Sequence, residues 1–195
     1  MSKFSIKELL TVAPSKFEDG LVQTILKSND LFNNDYFSLE ASKESKLKCL
    51  LEYAFDKDTK TYYFTEDKDP HLEFIFKGVF NLSGLVIHCI YNPYIKDFDV
   101  VGSKDGRQYN LIYSYRSISD ELYGNRKLFE CNQSEFYKRI RINFLRDSLK
   151  QITGSMFELD IFGAFLRVAI PSCILQNELS LGYVSHIISF ILIIT

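Results

Sequence analysis

The chain has 195 residues, of which 46% are hydrophobic, enough for one domain of ordinary size with a single core. Its formal net charge of -2 argues against a dedicated nucleic-acid-binding protein, which usually carries a basic excess. The aromatic set of 17 Phe and 12 Tyr without Trp favours pleated, half-buried surfaces and therefore β-structure.

The first third of the chain predicts two short helices, a polar turn and a strand. Residues 5–13 carry apolar side chains at helical spacing and end before Pro14, which predicts a lead-in helix. Residues 17–27 place Phe17 and further apolar side chains on one helical face, although Gly20 weakens the pattern. Residues 36–42 then alternate as a first strand.

The next predicted elements are short and β-rich. Residues 49–55 are apolar, and their pattern does not distinguish a helix from a strand. Residues 72–76 alternate as a strand. Residues 79–91 form the longest apolar run, apolar on both faces, so we expect a central strand that is covered on both sides.

A β-hairpin at residues 98–109 is the clearest local signal. Phe98, Val100 and Gly102 fall on one face at period two. Asp105 and Gly106 supply the turn, because Asp bonds to its own backbone and Gly takes a positive φ without steric cost. This pattern predicts two strands joined by a tight turn.

The later segments continue the β pattern. Residues 114–125 are a polar excursion, residues 126–132 a short strand, and residues 136–144 and 155–163 two alternating strands. On these last two strands we expect Ile140, Ile142, Phe144, Phe157, Leu159 and Ile161 to point inward. We expect Arg139, Arg141, Asn143, Glu158 and Asp160 to point outward. Short strands without a βαβ rhythm predict an all-β sandwich or jelly roll.

An apolar extension follows the last strand. Its final run, residues 184–194, is shorter than the roughly 20 apolar residues that a membrane helix needs, so we do not expect a membrane anchor. A buried segment, a partner-binding tail and a stretch outside the native domain remain open. We divide the chain into a lead-in at residues 1–16, a β-sandwich domain at 17–165 and the extension at 166–195.

The cysteines and histidines predict neither a metal nor a cofactor. The four cysteines form no Cys-x-x-Cys pair, and the three histidines do not cluster with them. His88 and Cys89 are neighbours on a strand, so they point to opposite faces and cannot form a catalytic dyad. The first residues lack the apolar core of a signal peptide, so we expect a cytoplasmic protein with reduced, buried thiols.

Four elements together resemble the discoidin domain, also called the coagulation factor V/VIII type C domain, of the galactose-binding-like superfamily. Residues 97–109 read Asp-Phe-Asp-Val-Val-Gly-Ser-Lys-Asp-Gly-Arg-Gln-Tyr and resemble its Gly-Ser-x-Asp-Gly signature. Residues 72–77, 137–142 and 157–163 resemble three of its strands. The resemblance implies a jelly roll of about eight main strands that binds sugars, phospholipid head groups or proteins through loops at one end.

The chain departs from the discoidin pattern in two ways. Phe98 and Tyr109 stand where the family carries Trp, and we expect both to be core aromatic residues. The terminal disulfide of the secreted members has no counterpart. The chain therefore looks more like intracellular copies of the family, some of which are attached to BTB-type adaptors in protists.

Candidate binding residues lie in the polar turns. The turn at Asp56 has oxygen donors for a hard cation, but Lys57 and Lys60 reduce its charge, so a solvated turn without a metal is favoured. The neighbouring tyrosines offer rings that could stack on a sugar, although alternation places at least one of them in the core. The predicted ligand-binding residues are Asp56, Tyr62, Tyr63, Asn92, Tyr94 and Arg107.

Two functions follow from these observations. The first is a non-enzymatic recognition domain for a protein or carbohydrate ligand, because no catalytic motif is present. The alternative is an assembly module of a larger adaptor-type protein that self-associates through residues 184–194. Neither function involves nucleic acid or a membrane.

Overall fold

The computed structural model describes residues 5–42, 50–58, 60–63, 67, 69–89, 97–116, 124–132, 135–145 and 158–169. The helices within them are α1 (Leu21–Leu26) and a 3-10 helix at Leu51–Ala54. The strands are β1 (Ser5–Val12), β2 (Phe37–Ala41), β3 (His71–His88), β4 (Asp97–Ser103), β5 (Asn110–Tyr115), β6 (Arg126–Glu130), β7 (Tyr137–Leu145) and β8 (Glu158–Ala169).

The long strand β3 takes part in two antiparallel sheets. Its first half pairs with β2 and β7, and this first sheet continues through β4 to β5. Its second half pairs with β6 and β8, and this second sheet ends at β1. The β7 register slips between Ile75 and Phe80, and a Cβ added to Gly78 would lie 2.4 Å from the carbonyl oxygen of Leu166. One strand that serves both layers in this way turns a corner of a β-sandwich.

The prediction of two separate strands at residues 72–76 and 79–91 is therefore wrong. Lys77 and Gly78 mark the bend of a single strand, because Gly78 permits the close approach of β8 and supplies no turn. The expected central position is confirmed, since residues 85–87 are fully buried. Between the sheets, the Phe98 ring packs edge-on against Phe129 with 5.0 Å between centroids.

The hairpin of β4 and β5 is confirmed. Asp105 Oδ1 accepts the N–H groups of Arg107 at 2.8 Å and Gln108 at 3.1 Å, and Gly106 has a φ of 77°. Gly102 is required for another reason, because an added Cβ would lie 2.6 Å from the Tyr137 ring.

Tyr109 is not the core residue that the sequence predicts. Its hydroxyl donates to Glu73 Oε1 at 2.6 Å, and its ring lies 4.6 Å from the Arg141 guanidinium carbon. The side chain is half-buried on the outer face of the first sheet. Burial and the Glu73 carboxylate raise the pKa of Tyr109.

The helix predicted at residues 5–13 is also wrong, because this segment forms β1. It pairs with β8 from Ser5, opposite Ala169, to Val12, opposite Gly163. The open edge of β8 supplies hydrogen-bond partners for the backbone, and this pairing outweighs the weak helical preference of so short a segment. The side chains consequently alternate, and Leu9 faces solvent.

The remaining elements have the type that the sequence predicts and differ from the prediction mainly in their bounds. The helix predicted at residues 17–27 is only α1, and the ambiguous segment at 49–55 contains the 3-10 helix. The polar excursion predicted from residue 114 begins later, since β5 continues to Tyr115. The inward residues of β7 are buried as expected.

Candidate functional site

Three polar side chains form a row across the second sheet, which we call the rung: Arg126 of β6, His88 of β3 and Glu158 of β8. His88 is the register partner of both neighbours. Arg126 Nε donates to the two carboxylate oxygens of Glu158 at 3.0 and 3.1 Å, and His88 Nδ1 lies 3.7 Å from Glu158 Oε2. The rung lies at the start of β8. The other end of β8, at Ala169, pairs with Ser5 near the beginning of the chain.

Burial sets the charges of the rung. Glu158 is almost completely enclosed, so its carboxylate depends on Arg126 for a counter-charge. Desolvation lowers the pKa of His88, and the nearby Glu158 carboxylate opposes that shift.

Residues 13–20, which we call the strap, cross the outer face of the second sheet. Pro14 lies over Gly84 of β3, where an added Cβ would be 3.4 Å from the proline Cβ. The Glu18 carbonyl oxygen accepts a hydrogen bond from Arg126 Nη2 at 3.3 Å. The strap therefore covers the strands that carry the rung.

Asp160 fixes the far end of the strap. Its carboxylate accepts the N–H groups of Gly20 at 2.7 Å, Val22 at 2.9 Å and Gln23 at 3.4 Å. Gly20 is the N-cap of α1 and has no side chain with which to cap it, so a residue of β8 satisfies the first N–H groups of the helix. The Ile161 N–H also donates to Asp160, at 2.9 Å.

Glu158 and Asp160 correct a prediction made from alternation. Both side chains point away from the core, as expected, since the core holds Leu159 and Ile161. Neither is solvent-exposed, however, because the strap and α1 cover this face. Burial raises the pKa of Asp160 to about 6, although the N–H donors around it act in the opposite direction.

Phe17 projects from the strap into solvent. Its side chain is 87% exposed, whereas the sequence places it on a helical face. Ser15 Oγ accepts the N–H groups of Phe17 at 3.1 Å and Glu18 at 3.0 Å, which fixes the backbone beneath the ring. An exposed aromatic ring on a tied backbone is the feature that sequence reasoning missed. The charged neighbours of Phe17 in the sequence were the available signal that it is exposed.

The turn that carries Asp56 lies beside the strap. Lys57 Nζ is 2.5 Å from Asp19 Oδ1 in the strap and 3.9 Å from Glu158 Oε1 in the rung. The Lys57 ammonium, together with Lys27, holds the pKa of Asp19 below its usual value. Asp56 is exposed, and its carboxylate accepts the Thr61 hydroxyl at 2.6 Å.

The other predicted ligand residues have different positions. Tyr62 is half-buried, and Tyr63 is fully enclosed, with its hydroxyl 3.5 Å from the Ser42 carbonyl oxygen. The Tyr63 ring therefore offers no face to a ligand. Asn92 and Tyr94 lie outside the described residues.

Arg107 lies in the turn between β4 and β5, where its N–H donates to Asp105 Oδ1 at 2.8 Å. The ion pair between Lys57 and Asp19 places the turn of Asp56 beside the strap.

The described residues show neither a metal-binding cluster nor a membrane-spanning helix. No group of three or more His, Cys, Asp or Glu side chains among them could hold a metal ion. No helix in that part of the chain is long and apolar enough to cross a bilayer. Cys89 and Cys131 are both buried.

Comparison by sequence gives no relatives, since no protein-family model and no curated protein matches the chain. Solved structures do match. The module CpGH89CBM32-5 from Clostridium perfringens, in complex with GalNAc-β-1,3-galactose, has a TM-score of 0.54 and 17% identity, covering 65% of this chain and 95% of that one.

Two further solved structures also match this chain. The CBM32 of AlyQ, in complex with 4,5-unsaturated mannuronic acid, has a TM-score of 0.52 and 18% identity, covering 66% of this chain and 95% of the module. The F5/8 type C domain of a Bacteroides fragilis protein has a TM-score of 0.51 and 15% identity, covering 65% and 91%.

These likenesses confirm the fold that the discoidin resemblance implied. The chain has a jelly-roll β-sandwich fold, which is also the fold of these CBM32 and F5/8 type C domains. The association with BTB adaptors finds no support in them.

Proposed function

We propose that this chain is a non-catalytic carbohydrate-binding domain that holds its glycan at the strap, with the Phe17 ring packed on the apolar face of a sugar. The observation that carries the proposal is the 87% exposure of Phe17 on a backbone that is already fixed. Aromatic side chains contribute large apolar contact areas, and a backbone that is fixed before binding loses little entropy on binding.

Polar groups of the strap and of the turn beside it suit the hydroxyl groups of a sugar. Asp19 and Lys57 form an ion pair at the surface, and Asp56 lies next to Lys57 in the chain with an exposed carboxylate. The strap and this turn therefore offer both donors and acceptors to a sugar that packs on Phe17.

The likeness to CBM32 modules supports a glycan over a protein ligand. Two of the similar structures are complexes with carbohydrates, namely GalNAc-β-1,3-galactose and an unsaturated mannuronic acid. Some similar chains also contain an enzyme; in one of them, an AlyQ structure with CBM32 and alginate lyase domains, this fold matches 33% of the chain. A binding role without catalysis is consistent with that arrangement.

Calorimetric titration after a glycan-array screen tests the proposal. The screen includes galactose-terminated glycans, GalNAc-β-1,3-galactose and alginate oligosaccharides. We expect at least one glycan to bind and Phe17→Ala to weaken it tenfold or more, which corresponds to about 1.4 kcal/mol.

Phe32→Ala is the matched control. Phe32 is 56% exposed, and Asp30 fixes its N–H at 2.9 Å, but its loop is separate from the strap. This variant is expected to bind as the wild type does. Absence of any glycan ligand, or equal affinity in Phe17→Ala, would refute the proposal.

The assembly function stays a prediction. It depends on residues 184–194, which lie outside the described residues. The division into three segments and the cytoplasmic location are likewise expectations from the sequence.

A further inference from the structure

We propose that Asp160 is a positioning residue for glycan binding. It touches no ligand, but it fixes the strap that presents Phe17, and glycan affinity therefore depends on an acceptor side chain at this position. This inference rests on the proposed function.

The contacts of Asp160 are unusually long-range. Its carboxylate binds the N–H groups of Gly20 and Val22, which are 140 and 138 residues away in the chain. Its side chain is fully buried, so these bonds are shielded from water. A buried acceptor that serves several N–H groups of one segment determines where that segment lies.

Gly20 shows that the strap packs closely against β8. A Cβ added to Gly20 would lie 2.5 Å from the Asp160 carboxylate and 2.6 Å from the Ile161 carbonyl oxygen. Only glycine allows the strap to approach β8 in this way. The strap and Asp160 are therefore matched to each other, and a side chain on Gly20 must displace the strap.

The other contacts of the strap are more exposed than those of Asp160. The Glu18 carbonyl accepts from Arg126 at 3.3 Å in an exposed bond, and Asp19 meets Lys57 at the surface. Phe17 stands three residues before Gly20, between these contacts and Ser15. Without the Asp160 acceptor, the strap loses its most deeply buried bonds, and the backbone that carries Phe17 is less firmly placed.

The experiment compares Asp160→Ala with Asp160→Asn in the full chain, using the tightest glycan from the array. The alanine variant has no acceptor, so we expect its affinity to fall at least tenfold. The asparagine variant keeps one acceptor oxygen, so we expect it to recover part of the loss. Hydrogen exchange at the Gly20 and Val22 amides should accelerate in the alanine variant.

Val100→Ala separates positioning from general stability. Val100 is fully buried in β4 of the first sheet, so this variant lowers the stability of the domain without touching the strap. We expect its affinity to equal that of the wild type. If Asp160→Ala does not fold, Gly20→Ala displaces the strap with Asp160 intact and should weaken binding in the same way.

The outcomes distinguish the two proposals. If the wild type binds no glycan, or if Phe17→Ala binds as tightly as the wild type, both proposals are overturned. If Phe17→Ala weakens binding and folded Asp160→Ala retains wild-type affinity, only the role of Asp160 is overturned. Equal losses of glycan affinity in Asp160→Ala and Val100→Ala would also overturn that role.

Discussion

Ionisation of Asp160 is expected to reduce the stability of the folded domain, so that stability falls as the pH rises. We expect Asp160→Asn to remove this contribution to the pH dependence. Burial raises the pKa of Asp160 from 3.8 to about 6 in the folded state. Below about pH 3 the group is protonated in both states. As the pH rises from 4 to 6 the unfolded chain ionises first, so stability falls over this window and stays lower above it.

The size of this effect follows from the shift in pKa. A shift from 3.8 to about 6 corresponds to about 3 kcal/mol at 1.36 kcal/mol per pH unit. The shift is the balance of two opposing causes. Desolvation favours the neutral acid, whereas the N–H groups of Gly20, Val22, Gln23 and Ile161 favour the carboxylate.

Urea unfolding of the wild type and Asp160→Asn between about pH 3 and pH 7 measures the effect. Other titrating groups, including His88 and Asp19, contribute to both proteins, so the difference between their free energies of unfolding isolates Asp160. We expect the wild type to lose about 3 kcal/mol relative to the variant as the pH rises. A flat difference would mean that the N–H donors fully offset desolvation, and a difference that rises with pH would mean that they outweigh it. Either result would refute this reasoning.

Three further outcomes test other parts of the structure. Gly102→Ala should lower the free energy of unfolding by 2 kcal/mol or more in denaturant titrations, because the new Cβ would overlap the Tyr137 ring; an unchanged midpoint would contradict that packing. Arg126→Gln should cost about 3 kcal/mol in the same assay, since it removes the hydrogen-bonded counter-charge of the buried Glu158 carboxylate and leaves only Lys57, at 3.9 Å. Cys131 should resist a thiol reagent at pH 8 until the chain is unfolded, because burial raises its pKa to about 12.

Local patterns predicted much of the fold correctly. The hairpin at Phe98 depends on period-two alternation and on turn chemistry at Asp105 and Gly106, all within a dozen residues. The central strand was likewise visible as a run that is apolar on both faces. The N-terminal segment could not be assigned in this way, because β1 is a strand only where β8, more than 150 residues later, offers its edge.

The candidate site was less predictable than the fold. Aromatic and polar residues in turns led to Asp56, whose turn does lie beside the strap, but also to the enclosed Tyr63 and to Arg107 in the turn between β4 and β5. Sequence spacing could not separate these cases, since exposure depends on the elements that pack over each turn. Phe17 was assigned to a helix that begins four residues later.

Asp160 shows why a polar residue on an alternating strand is ambiguous. Its position in β8 places it on the face away from the core, where a carboxylate is normally solvated. A strap that crosses this face must bring backbone N–H groups with it, and those groups need acceptors once water is excluded. A carboxylate that is buried on an outer face therefore indicates that another segment is bound there. In this chain that segment carries the exposed ring, which links a structural contact of the sheet to the surface where we propose that the glycan binds.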